Sequence, residues 1–348
     1  MAYISFKPSD FFNDVIYAGT GSSQSITNVG FQPNFTWTKD RGNTEDNSLW
    51  DSVRTATKYI SSNGNWAEST MANGITAWGS DGFTAGGNNS TNNSSRNYIA
   101  YNWKMGTSSG LSGGSLTPSA YSINTTAKQG IYKYTGTGST ATIPHGLGST
   151  PTAIFVKRTD GANNWAVYSK AMGNTKYIIL NTTGTIQTGS AFWNDTSPTS
   201  TVFTIKDNVT VNTSGHIYVA YVFCDTPGYF KQGTYEGNTS STDGPFIYLG
   251  FRPAMLLIKN QDQAEAWQLF DNRRLGYNTA NYRLYPSASG AEATSTNYGN
   301  ITANGFKITT GSGGTSQHDV NGGNQTYTYM AWAEDPIVGS GGTAGVAR

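Results

Sequence analysis

The sequence predicts an all-β protein built as three tandem β-sandwich-like repeats of about 90–105 residues. Three observations carry that expectation. The 348 residues are only 12% charged yet hold 42 glycines, 21 tyrosines and nine tryptophans, a balance of turn formers and ring-bearing residues that suits short strands joined by loops. No helical periodicity persists beyond about ten residues. Finally, one unit recurs three times: Gly30-Phe31-Gln32-Pro33-Asn34-Phe35-Thr36-Trp37-Thr38-Lys39, Gly148-Ser149-Thr150-Pro151-Thr152-Ala153-Ile154-Phe155-Val156-Lys157 and Gly250-Phe251-Arg252-Pro253-Ala254-Met255-Leu256-Leu257-Ile258-Lys259. Each is a glycine turn, a proline, an apolar strand and a lysine.

The repeat can be followed element by element. It opens on a strand ending in a glycine turn, at Tyr17, Tyr134 and Tyr235, with 16, 17 and 18 residues from tyrosine to proline. An aromatic strand follows, with Trp50, Tyr168 and Phe270 each 17 residues after the proline. Lys58-Tyr59-Ile60, Lys176-Tyr177-Ile178 and Asn281-Tyr282-Arg283 come next, then a Ser/Thr/Asn-rich excursion. Two strands close the unit, through Phe83, Phe203 and Phe306 and then through Trp103, Phe223 and Trp332. Alternation along a strand puts these closing rings on one face with Tyr101, Tyr221 and Met330. A period this long exceeds solenoid or propeller repeats. The expected organisation is an N-terminal arm (1–14), repeat one (15–105), a flexible or extended linker (106–129), repeat two (130–225), repeat three (226–336) and a flexible C-terminal tail (337–348).

Composition narrows the function classes. Formal net charge is +1 without a basic run, so no nucleic-acid partner is expected. Membrane insertion is not expected either, since no apolar run approaches about 20 residues. The single cysteine, Cys224, forbids an intrachain disulfide and reads as a small buried thiol. His145, His216 and His318 lack zinc-ligand spacing. Carboxylates are scattered, and Asp51 and Asp271 recur at one repeat position, which favours a turn role over catalysis. No enzyme activity, cofactor or metal site is expected.

Aromatics are the informative class, because exposed rings stack on sugars and anchor protein contacts. Rings common to all copies are expected in the core. Those outside the common set, Trp66, Trp193, Tyr277 and Tyr298, are candidates for ligand or partner binding. The adjacent Arg273 and Arg274 could contact an acidic glycan or a neighbouring subunit, against a solvated loop as the plainer expectation. In the N-terminal segment, Phe6, Phe11 and Phe12 are candidates for an assembly arm, with a plain N-terminal strand as the alternative.

Several motifs together resemble tail-fibre-like structural proteins of tailed bacteriophages, common in marine and cyanobacterial phages. They are Phe6-Lys7-Pro8-Ser9-Asp10-Phe11-Phe12-Asn13, Gly19-Thr20-Gly21-Ser22-Ser23-Gln24-Ser25-Ile26, Asp51-Ser52-Val53-Arg54, Tyr98-Ile99-Ala100-Tyr101-Asn102-Trp103, Gly146-Leu147-Gly148, Asp243-Gly244-Pro245-Phe246 and Ala331-Trp332-Ala333-Glu334-Asp335-Pro336. The short Arg-terminated end, Ala344 to Arg348, is similar too. The resemblance implies a virion location, manufacture in the host cytoplasm without a signal peptide, and association with other virion proteins. Composition is consistent with this, being adhesin-like without a disulfide or an N-terminal export signal. The expected function is a non-enzymatic tail fibre or receptor-binding component that meets a host-surface glycan or protein, with a homotrimer inferred by analogy. The alternative is a capsid decoration, baseplate or tail structural protein with no host-binding role.

Overall fold

The computed structural model describes residues 6–274, 282–294, 298–309 and 316–336. The expected C-terminal tail lies outside them. Repeat one holds β1 (Phe12–Ala18), β2 (Gln24–Ile26), β3 (Phe35–Asp40), β4 (Ser48–Asp51), β5 (Lys58–Ser61), β6 (Ser69–Thr70), β7 (Ile75–Gly79), β8 (Gly82–Ala85) and β9 (Asn97–Trp103). Repeat two holds β10 (Ala120–Asn124), β11 (Gln129–Thr135), β12 (Ala141–Pro144), β13 (Ala153–Arg158), β14 (Trp165–Ser169), β15 (Lys176–Ile179), β16 (Gln187–Thr188), a turn of helix α1 (Ser190–Trp193), β17 (Val202–Ile205) and β18 (Ile217–Phe223). Repeat three holds β19 (Phe230–Glu236), β20 (Phe246–Tyr248), β21 (Phe251–Asn260), β22 (Gln268–Asp271), β23 (Gly299–Thr302), β24 (Gly305–Ile308), α2 (Ser316–Val320) and β25 (Thr326–Pro336).

The three units share one topology. Large antiparallel sheets run β1-β9-β3-β4-β5-β6, β10-β11-β18-β13-β14-β15-β16 and β19-β25-β21-β22, and small sheets run β2-β8-β7, β12-β17 and β20-β24-β23. Their registers coincide. Phe35 faces Trp103, Ala153 faces Phe223 and Met255 faces Trp332, which puts Pro33, Pro151 and Pro253 at equivalent places. In the third copy the strand starts two residues before its proline, and the ladder shifts there. Each opening tyrosine stacks on a partner across the ladder, Tyr17 on Tyr98, Tyr134 on Tyr218 and Tyr235 on Tyr327, at 5.0–5.4 Å. The glycine turn after it is tight in every copy. A Cβ on Gly19, Gly136 or Gly237 would sit 2.1–2.3 Å from a backbone carbonyl oxygen, so no side chain fits.

The sandwich is only half of each unit's packing. One face of each large sheet packs on its own small sheet, as in the cluster of Ile26, Trp50, Ile75, Phe83, Ala85 and Ala100. The other face joins a core shared by all three repeats, where Tyr101 and Trp103 meet Tyr221 and Phe223, and Met330 and Trp332. That explains why β3 and β4 are buried at every position: a strand covered on both faces need not alternate. The closing rings converge, with centroids at 6.4 Å (Trp103–Phe223), 5.2 Å (Phe223–Trp332) and 5.6 Å (Trp103–Trp332).

Hydrogen bonds between repeats close in cyclic order, which defines a pseudo-threefold arrangement. The Trp165 indole donates to Ser61 O (2.8 Å), the Trp267 indole to Ile179 O (3.0 Å) and the Asn47 amide to Tyr285 O (3.0 Å). Backbone N–H groups repeat the cycle, Glu68 to Thr159, Ile186 to Gln261 and Glu292 to Arg41. Between repeats one and two, the Tyr221 hydroxyl donates to Asp51 (2.6 Å), and Arg54 is paired with Asp51 and Glu68. Between repeats three and one, the Tyr101 hydroxyl donates to Asp271 (2.6 Å), and Arg274 is paired with Asp271 and Glu292. At the third seam the four corresponding residues are Ser169, Met172, Ile186 and Met330. Here the network is replaced by apolar packing and a Ser169–Gln232 bond of 2.6 Å.

Several expectations need correction. Of the two forms expected for the N-terminal segment, the structure shows the strand at its end, not a separate arm: Phe12–Asp14 belong to β1 and pair with Tyr101–Trp103. The expected linker 106–129 contributes β10, an edge strand of the second large sheet, because Tyr121 and Ile123 find apolar cover there. In the third copy Leu284 takes the place of Ile60 and Ile178, since it bridges Leu269 as they bridge Leu49 and Val167. Arg283 therefore stands where Tyr59 does, one residue later than the expected match of Tyr282. Cys224 is buried as expected, and burial pushes its thiol up to about 12.

Three outcomes follow. Trp332→Ala should lower stability by about 3–5 kcal/mol in urea unfolding, since the ring is central and buried. Ser169→Asp alone should cost about 3 kcal/mol or more by placing a carboxylate in the apolar seam. Combining it with Met172→Arg, Ile186→Glu and Met330→Tyr should restore most of the unfolding midpoint. The third outcome concerns the repeat lysines. Burial pushes Lys157 down to about 7 and Lys39 and Lys259 to about 8. The unfolded chain holds those protons until about pH 10.4, so stability should rise between pH 8 and 10. Lys157→Met should reduce that slope by about 1.4 kcal/mol per pH unit in pH-dependent melts.

Candidate functional site

The structure sorts the sequence candidates sharply. Trp193 is 1% exposed and donates its indole N–H to Lys176 O, inside repeat two. Tyr298 is also 1% exposed, with Arg283 stacked on its ring and its hydroxyl donating to Asp319. Arg274 is the buried seam cation described above, and Arg273 pairs with Asp14 and Asn13 of β1. Burial and the neighbouring Asp271 push Asp14 up to about 8. Both arginines thus serve the join between repeats three and one; Arg274 is buried there, whereas Arg273 stays 44% exposed. Phe12 is buried in the shared core. Phe6 and Phe11 are partly buried and pack edge-on against each other and against Tyr229. Tyr277 lies outside the described residues.

Trp66 alone among the described candidates remains an exposed ring, at 54% exposure. It sits in the loop between β5 and β6, beside a groove of about 460 Å³ lined by Asp46, Tyr59, Ser61, Trp66, Ala67, Glu68 and Ser69. That volume falls within the ~300–1,000 Å³ typical of small-ligand sites. The loop is pinned on both sides of the ring to repeat two. Asn65 O accepts from Lys157 Nζ (3.2 Å) and Asn163 N (2.7 Å), and Glu68 N donates to Thr159 O (2.7 Å). The indole also lies against Gly64, where a Cβ would come within 1.7 Å of the ring. The ring is consequently exposed and held in place, which lowers the entropy lost on binding.

The groove belongs to repeat one alone. At the position of Trp66 the other repeats carry Gly184 and Gly290. At the position of Tyr59, Tyr177 is stacked at 3.7 Å on Phe192 of α1, and Arg283 stands in the third. One of the two groove carboxylates is committed to cations. Glu68 pairs with Arg54 and with Lys58 (3.2 Å), and Asp46 Oδ1 accepts from Asn63 (2.7 Å). Burial and Asp46 raise the Tyr59 hydroxyl above its ordinary range, so the groove presents it as a neutral donor.

Sequence reasoning missed Tyr59 and Asp46 as groove residues. Tyr59 does pack on the repeat-one core, 5.4 Å from Trp50, but it also lines the groove, because no ring covers it as Phe192 covers Tyr177. It also missed Phe246 and Tyr248, 48% and 52% exposed on edge strand β20, where the strand turns only Ile247 inward. Among the described residues no group of three or more His, Cys, Asp or Glu could hold a metal ion. No described helix is long and apolar enough to cross a membrane.

No curated protein and no solved structure matches the chain. A family model does, over residues 7–336, and it spans all three repeats and both faces of the Trp66 seam. The chain therefore belongs to the DUF7483 family, a domain of unknown function.

Proposed function

We propose that the chain is a non-enzymatic structural protein of a tailed-phage virion, a tail fibre or other receptor-binding component that meets the host surface through the Trp66 groove. The phage-like motifs support the virion setting. The observation that carries the binding role is Trp66 itself, an exposed indole fixed by a glycine beneath it and by a loop tied across a seam. Exposed tryptophan rings dominate binding energy at many contacts. Weak attachment at one groove gains strength when many copies act together on a particle.

A second reading, a capsid decoration, baseplate or tail component without host binding, draws on Phe246 and Tyr248. Two exposed rings on an edge strand suit contact with another virion subunit.

Binding of the labelled protein to host cells separates the two. The wild type should bind saturably, and Trp66→Ala should weaken binding at least tenfold with an unchanged melting temperature. Equal binding by both proteins, or none by either together with head labelling in intact virions, removes the receptor-binding reading.

A further inference from the structure

We infer that the Trp66 groove is a subsite for a neutral hexopyranose, the ring of the sugar stacked on the Trp66 indole and its hydroxyls bonded to Asp46. This rests on the surface-binding reading above and names its ligand class.

The stacking partner is the first argument. One side of the indole is backed by Gly64, and among the described residues Trp66 makes no ring contact of the kind that occupies Trp50, Trp103, Trp193 and Trp332. A flat, rigid, half-exposed ring beside a groove offers its π face to the C–H face of a pyranose, whose polarised hydrogens complement the ring's negative face. The groove wall supplies the polar complement. Asp46 Oδ1 is bonded to Asn63, and its Oδ2 has no hydrogen-bond partner among the described residues. It is thus an acceptor for sugar hydroxyls. Tyr59, Ser61 and Ser69 line the same groove and supply hydroxyls that both donate and accept.

Charge selects among sugars. Glu68 is paired with Arg54 and Lys58, whereas Asp46 forms no salt bridge among the described residues and meets only the longer-range field of Lys39, so the groove keeps an acidic acceptor. The carboxylate of an acidic sugar would approach Asp46 and be repelled, and would leave that acceptor unpaired. A neutral hexopyranose meets no such penalty. The same asymmetry makes this groove the opposite of an acidic-glycan site.

The test uses the full chain and saturation-transfer NMR with five probes: methyl β-D-glucopyranoside, methyl β-D-galactopyranoside, N-acetylglucosamine, glucuronic acid and N-acetylneuraminic acid. At least one neutral probe should bind saturably and more tightly than both acids. Trp66→Ala should abolish its signal, and Asp46→Ala should weaken binding about tenfold, as loss of a charged hydrogen bond does. Both variants should keep the wild-type melting temperature. Tighter binding of an acidic probe, or a signal that survives Trp66→Ala, overturns the inference. If no probe binds while Trp66→Ala still loses host-cell attachment, the sugar assignment falls and surface binding stands. If cell attachment is also indifferent to Trp66, both fall.

Discussion

Trp103, Phe223 and Trp332 close on one another at the centre of the molecule, and the rest of the structure depends on that contact. Each repeat builds a large sheet with two apolar faces but only one small sheet to cover them. The uncovered face carries rings as large as tryptophan, and left in water it would be an extensive apolar patch. Three copies solve the problem together by turning that face inward. The hydrophobic gain is shared, so no repeat owns its whole core, and the connections follow from it. The N-terminal segment lies on Tyr229, and the first linker supplies a strand to repeat two.

Much of this was legible in the sequence. The threefold repeat, the equivalent prolines and the shared face of Tyr101 with Trp103 follow from a period of two and from fixed offsets. The joint core was less visible. A strand such as Ile217 to Phe223, apolar on both faces, signals double cover, but it does not say whether the second cover is the same repeat or its neighbour. The seam pairs were present as a spacing, Asp51-x-x-Arg54 and Asp271-x-x-Arg274, so Arg274 could have been assigned a structural role before any coordinates. Rarity among the repeats proved an uneven guide to exposure. Trp66, Trp193 and Tyr298 all fall outside the common set, yet two are buried, because departures from the repeat also arise when a local core is refilled. Phe192 and Trp193 do this in repeat two, and Arg283 with Tyr298 does it in repeat three.

The departures at the seams obey a rule. Where the neighbour presents a tyrosine, the repeat answers with Asp, Arg and Glu; where it presents Met330, the answers are Ser169, Met172 and Ile186. Buried ion networks add little net stability over apolar packing of the same volume, and their better-attested use is to fix register. Two polar seams and one apolar seam make the three interfaces unequal. A wrong neighbour would leave a buried carboxylate facing methionine, or a tyrosine hydroxyl facing an apolar pair. The chain thereby specifies which repeat sits beside which.

Repeat one holds a special place in that scheme. It alone carries both the tyrosine, Tyr101, and the answering Asp51, Arg54 and Glu68, so its two interface surfaces are complementary to each other. A head-to-tail surface of this kind closes into a ring of three when the rotation is right. One chain occupies here the arrangement that three identical subunits would otherwise fill. The advantage of fusing them is that equivalent positions become free to differ. At the position of Trp66 two copies keep glycine, and at that of Tyr59 one copy gains a covering ring and another an arginine. A symmetric trimer would present three identical grooves or none. The fused chain carries the Trp66 groove in one repeat, and Glu68 joins it to the seam: its side chain lines the groove and pairs with Arg54, while its backbone N–H ties the loop to repeat two. The interaction that orders the repeats therefore also sets the position of the one exposed tryptophan.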